Sequence, residues 1–126
     1  MGCALLFVTT FAEAGGDGFD EYFARAARGP RDCGRVGIPG ADRVEADRCV
    51  LASFTARQPF FVRYDKLGFD SIVADGLLLT RDKTLLVLQF DSMGCPQCVT
   101  PSLCGAPKLT KTDRGLLVEC KNKYEM

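Results

Sequence analysis

At Pro59 the spacing of apolar residues changes from a helical period to a strand period, which restricts the chain to folds where a helix precedes an antiparallel sheet. Upstream, Asp42 to Gln58 reads as a helix. Asp42 can cap it, Glu45 stands in capping-box position, and Pro59 ends it. Its expected apolar face is Val44, Ala46, Val50, Leu51 and Phe54. Downstream, Phe60–Tyr64, Ser71–Leu79 and Thr84–Ser92 are rich in Val, Leu and Phe and read as strands. The connections Asp65–Asp70 and Thr80–Lys83 are too short to join parallel neighbours, so these strands form an antiparallel meander. Lys108–Lys111 and Leu116–Lys121 flank Thr112-Asp113-Arg114-Gly115 as a further hairpin. The expected architecture is α+β, one main helix packed on a four- or five-stranded antiparallel sheet made of the meander and the C-terminal hairpin.

The cysteines add a second constraint. Met1 to Ala12 carry no charged side chain, include the apolar run Cys3 to Val8, and precede the small-x-small pattern Ala12-Glu13-Ala14. Residues 1–14 therefore read as a secretory signal peptide. The run is well short of the ~20 apolar residues of a membrane span. Of the seven Cys in the chain, cleavage after Ala14 removes Cys3 and leaves Cys33, Cys49, Cys95, Cys98, Cys104 and Cys120. An even set in a small exported chain fits a disulfide framework, and the expected location is secreted or periplasmic. Chain order suggests Cys33 with Cys49 and Cys104 with Cys120, leaving Cys95 and Cys98 to each other or to exchange with Cys104. Residues 15–40 read as an N-terminal arm. It holds a short amphipathic helix, Asp17–Arg28, with Phe19, Tyr22, Phe23 and Ala26 at helical spacing, then a glycine-rich loop, Arg31–Gly40. Residues 41–126 are then the single α+β domain.

With 16 basic and 16 acidic residues the formal net charge is zero, so neither nucleic acid nor an anionic membrane is the expected partner. The chain has no His, which excludes Ser–His–Asp, Cys–His and HExxH chemistry. Two thiol chemistries stand as alternatives. Cys95-Pro96-Gln97-Cys98 has the spacing of a thiol oxidoreductase pair, although Pro101 and Pro107 oppose the helix that usually follows one. Cys95, Cys98, Cys104 and Cys120 together suit a four-thiolate zinc site and resemble half of a zinc ribbon, with Val99 where a knuckle glycine is usual. Structural disulfides are the preferred reading of all six. Asp65, Asp70 and Asp91 offer a third alternative, a calcium site or a carboxylate pair for acid–base work; turn hydrogen bonding is the plainer account of them.

Two-residue alternation around the two turns sorts the meander onto two faces. Phe60, Val62, Tyr64, Val73, Asp75, Leu77, Leu79, Leu86, Leu88 and Phe90 would face the helix, and Asp75 there needs a partner or an edge. Phe61, Arg63, Ile72, Ala74, Gly76, Leu78, Leu85, Val87 and Gln89 would form an open face, with Asp65, Asp70 and Asp91 at one end and an Arg63–Asp91 ion pair across the strands. The cysteine loop from Met93 to Pro107 would hang beside it. The arrangement resembles that of cystatin-like domains, but their inhibitory Q-x-V-x-G loop is absent: Ser71 to Gly76 has neither the Gln nor the spacing. The expected function is that of a small exported binding domain of bacterial type, non-catalytic and without a cofactor. It would take an unknown protein or small ligand on a surface comprising Arg63, Asp65, Asp70, Gln89 and Asp91.

Overall fold

The computed structural model describes residues 19, 22, 31–37, 43–67, 72–91 and 99–125. The expected signal peptide, the Asp42 cap, Asp70, Cys95, Cys98 and all of the Asp17–Arg28 helix except Phe19 and Tyr22 lie outside them. Those two residues have helical backbone.

Strand β1, Arg31–Val36, leads into helix α1, Arg43–Thr55, and then into β2, Phe60–Leu67. β1 lies parallel to β2, so α1 is the crossover that a parallel pair requires. This strand corrects the loop reading of Arg31–Gly40. Its one glycine serves a bulge: the register shifts between Asp32 and Arg35, Gly34 has φ +105°, and its N–H donates to Asp32 Oδ1 at 2.8 Å. The disulfide Cys33–Cys49 ties β1 to α1, as expected.

The meander follows as β2, β3 (Ile72–Leu79) and β4 (Leu85–Asp91), all antiparallel. Two strands then extend the sheet beyond the expected size. β5, Val99–Gly105, forms within the segment read as a Cys/Pro loop, and β8, Asn122–Glu125, pairs with it at the edge. The order is β1-β2-β3-β4-β5-β8, a six-stranded sheet that is antiparallel except at β1. The C-terminal hairpin, β6 (Lys108–Thr112) with β7 (Gly115–Glu119), is present but is a separate two-stranded sheet. It packs beside α1 over the same core, and Cys104–Cys120 fastens the end of β7 back to β5.

Both sheet faces are buried along part of their length. On one, Val36, Phe60, Val62, Tyr64, Leu77, Leu79 and Leu85 pack against Ala46 and Val50 of α1, with Leu109, Leu116 and Val118 of the hairpin alongside. On the other, Ala74, Leu78, Leu86, Leu88 and Phe90 form a second core that receives the fully buried Phe19, with Tyr22 and Phe61 packed at its side. The expected open face is thus a covered one.

Register explains the difference. The expected four-residue turn at Thr80–Lys83 is a three-residue loop: Thr80 and Thr84 pair, the Lys83 N–H donates to the Thr80 carbonyl at 3.0 Å, and Lys83 has φ +69°. That is a type I turn followed by a left-handed residue. The pairing of β3 with β4 slips by one residue, placing Leu77 opposite Val87, and every β4 side chain changes face. Leu86, Leu88 and Phe90 leave the helix side, while Leu85, Val87, Gln89 and Asp91 join it. The β2 and β3 assignments stand.

Helix α1 is also rotated from its expected face. Val44 is 60% exposed, and the buried stripe is Ala46, Asp47, Val50 and Ser53, with Cys49 and Phe54 partly buried. A carboxylate enters that stripe because it finds partners there.

Candidate functional site

The five residues expected to share one surface are divided by the sheet. Arg63 and Asp65 lie on the face with Phe19, Gln89 and Asp91 on the helix side, and Asp70 outside the described residues. Arg63 is 2% exposed, and its Nε donates to Asp65 Oδ1 at 2.7 Å. Its guanidinium lies 5.0 Å from the Phe19 ring centroid and 5.8 Å from that of Phe90, a cation–π arrangement inside the second core. Arg35 of β1 donates to the other carboxylate oxygen, Asp65 Oδ2, at 2.5 Å. Asp65 therefore joins two strands and balances a buried charge.

This geometry corrects three expectations. Arg63 pairs with Asp65, two residues along its own strand, and not with Asp91. Asp65 and Asp91 project from opposite faces, so they cannot share a calcium ion or act on one substrate. With Cys104 and Cys120 bonded to each other, neither sulfur is a thiolate for the four-thiolate zinc set, while the Cys95–Cys98 pair lies outside the described residues. Asp75 found the partner it needed: Lys66 Nζ sits 2.7 Å from its Oδ2.

Among the described residues the helix-side face is only partly roofed. α1 and the β6–β7 hairpin cover the end of the sheet nearest Phe60, Leu79 and Leu85, and beyond them the face opens into a trough. The inner part, about 310 Å³, is walled by Leu77, Val87, Leu116 and Val118 and edged by Arg43 and Lys123. A further 410 Å³ continues outward over Val73, Asp91 and Thr100. Lys66, Asp75 and Gln89 line both parts, so the two adjoin along the strands. The slipped register is what brings Gln89 and Asp91 here.

A polar cluster closes the inner end. The Tyr64 hydroxyl donates to Asp47 Oδ1 at 2.6 Å, in buried surroundings. Arg43 Nε stands 3.4 Å from Asp47 Oδ2, and the guanidinium lies 4.9 Å from the Tyr64 ring centroid. The hairpin meets this arginine at Gly115, φ +116°, where an added Cβ would approach Arg43 Nε to 2.3 Å. The backbone favours glycine there, and any side chain would also displace the Arg43 guanidinium. Burial, and then donation to the Asp47 carboxylate, hold the Tyr64 pKa far above its ordinary value, so the phenol is a fixed neutral donor.

Among the described residues no group of three His, Cys, Asp or Glu side chains is placed to hold a metal ion, and no helix is long and apolar enough to cross a membrane. The polar signal of the trough was partly legible, since Gln89 and Asp91 were singled out. Arg43, Tyr64, Lys66 and Lys123 were missed because they converge from three elements, α1, β2 and β8, whose packing no local pattern reveals. No family model, no curated protein and no solved structure matches this chain.

Proposed function

We propose that the protein is a small exported, disulfide-stabilised domain that binds a ligand or partner along the uncovered trough of its helix-side sheet face and catalyses nothing. The observation that carries this reading is the continuity of the trough across Lys66, Asp75 and Gln89, from an apolar pocket at one end to an open polar floor at the other. Binding clefts combine apolar walls with a few placed polar groups in this way. The occupant it suits has an apolar tip seated against Leu77, Val87, Leu116 and Val118 and a polar body hydrogen-bonded over Gln89, Asp91 and Thr100. Two features favour binding over turnover. Tyr64 is locked in its neutral form, and the neighbouring charged groups Arg43, Asp47, Lys66 and Asp75 are already paired. Export is supported by the charge-free apolar N-terminus and by disulfides at Cys33–Cys49 and Cys104–Cys120, which persist in oxidising compartments.

The test is an NMR screen of polar fragments against the oxidised protein. Amide shifts confined to Gly76, Leu77, Val87 and Gln89, and lost in Gln89→Trp, are the expected outcome. Hits that map elsewhere, or that Gln89→Trp leaves unchanged, would remove the trough as the binding surface.

A further inference from the structure

A second cavity lies at the other end of α1, independent of the trough and different in chemistry. It measures about 570 Å³, within the range of roughly 300–1,000 Å³ typical of small-molecule sites. Its floor is apolar: Leu51 and Phe54 from the last turns of α1, Leu79 at the end of β3, and Pro107 and Leu109 from the approach to β6. Among the described residues its charged lining consists of Arg57, Lys83 and Lys108, with no carboxylate. Among the described residues none of these three cations takes part in an ion pair. In the trough, by contrast, Arg43 and Lys66 each have a carboxylate partner. In a chain of zero net charge this is a local concentration of unneutralised positive charge above a greasy floor.

Three separate turns build the rim. Arg57 follows α1 in a Schellman arrangement, its N–H donating to the Phe54 carbonyl at 3.0 Å while that of Gln58 donates to Ser53 at 2.8 Å. Lys83 closes the β3–β4 loop, and Ala106 precedes Pro107 on the way to β6. All three have positive φ, +57°, +69° and +49°, where glycine is the usual occupant. At two of these positions the chain carries a cation at the cavity edge. Cations at a helix C-terminus also complement its dipole, a role that would leave ligand binding untouched and so separates from ours by experiment.

We infer that this cavity binds small amphipathic anions, molecules with a carboxylate or phosphate head and a short apolar chain, with the head held by Arg57, Lys83 and Lys108 and the chain lying on Leu51, Phe54, Leu79 and Leu109. Three unpaired cations recognise the head; the floor recognises the tail. The requirement for both excludes free inorganic phosphate and excludes apolar alcohols as good ligands.

Titration calorimetry with decyl phosphate, decanoate, decanol, decyltrimethylammonium and inorganic phosphate, each as a monomer in solution, tests this. Decyl phosphate and decanoate are expected to bind, and the other three to bind at least tenfold more weakly. Raising the salt from about 0.05 M to 0.5 M should weaken binding severalfold, because the cations are exposed and screened. The triple variant Arg57→Gln/Lys83→Gln/Lys108→Gln should lose tenfold or more in affinity, while Lys66→Gln/Lys123→Gln in the trough changes it less than twofold. All three rim side chains are exposed, so the triple variant keeps the fold. Lys108→Glu alone, expected to weaken decanoate severalfold, provides a second readout. Equal binding of decyltrimethylammonium, tight binding of inorganic phosphate alone, no binding of either anion, or indifference to the triple variant would each overturn the inference.

Discussion

Tyr64 shows how one side chain secures an unusual core position. Asp47 lies in the buried stripe of α1 at 4% exposure, tolerable only because the Tyr64 hydroxyl and Arg43 reach it. Tyr64→Phe removes the donor while keeping the ring, and a hydrogen bond to a charged group is worth about 1.5–3 kcal/mol. Urea unfolding should show a loss in that range. The raised Tyr64 pKa also sets a pH dependence. Above pH 10, the ordinary tyrosine value, the unfolded chain gives up this proton and the folded chain retains it, so stability falls as pH rises. The slope that this site contributes, up to about 1.4 kcal/mol per pH unit, should be missing from Tyr64→Phe when the two proteins are compared between pH 9.5 and 11. Equal slopes would mean that the phenol ionises as it does in water. No sequence pattern announced this cluster, since residues 43, 47, 64 and 115 meet only through the crossover and the hairpin.

At the scale of elements, what was legible was what local periodicity controls. β2, β3, β4, the β6–β7 hairpin and α1 were read to within a few residues, because each has its own alternation or helical stripe. β1 was hidden by Gly34 at its bulge and by its parallel pairing, which depends on a partner far along the chain. β5 was hidden by Pro101 and the cysteines around it. The helix-side face of β4 was lost to one residue, Lys83, which occupies a left-handed position without being glycine. The same substitution logic yields a test at the end of α1. Arg57→Gly should stabilise the fold by about 0.5–1 kcal/mol, since a left-handed conformation costs an L-residue roughly 1–2 kcal/mol and glycine recovers part of it. A destabilisation in thermal or urea unfolding would mean that the Arg57 side chain makes contacts that outweigh its backbone strain. The hairpin depends on its disulfide, because it shares no ladder with the main sheet. Cys104→Ser/Cys120→Ser opens a loop with a sequence separation of 16, for which loop closure predicts a loss of about 3 kcal/mol. Hydrogen exchange in β6 and β7 should accelerate more than in β2 to β4. Uniform acceleration would show that the hairpin and sheet unfold as one unit.

Over the whole molecule, the two sheet faces have different roles. One carries a core sealed by Phe19 over the Arg63–Asp65 pair; the other is roofed by α1 and the hairpin at one end and, among the described residues, open at the other. The residues expected to share one open polar face lie on both sides of the sheet, Arg63 and Asp65 on one and Gln89 and Asp91 on the other, because alternation fixes faces only once the turn lengths are known. Assignment of the trough depends entirely on which side chains share its face. Paired substitutions at the two carboxylates measure this most directly. Asp65→Asn should cost about 3 kcal/mol or more in urea unfolding, because it removes the charge that Asp65 places against the buried Arg63 guanidinium. Asp91→Asn, on the exposed floor, should cost no more than about 1 kcal/mol, the size of an exposed polar contact. The reverse order, a severe loss at Asp91 with Asp65 neutral, would contradict the register and with it the proposed use of the trough.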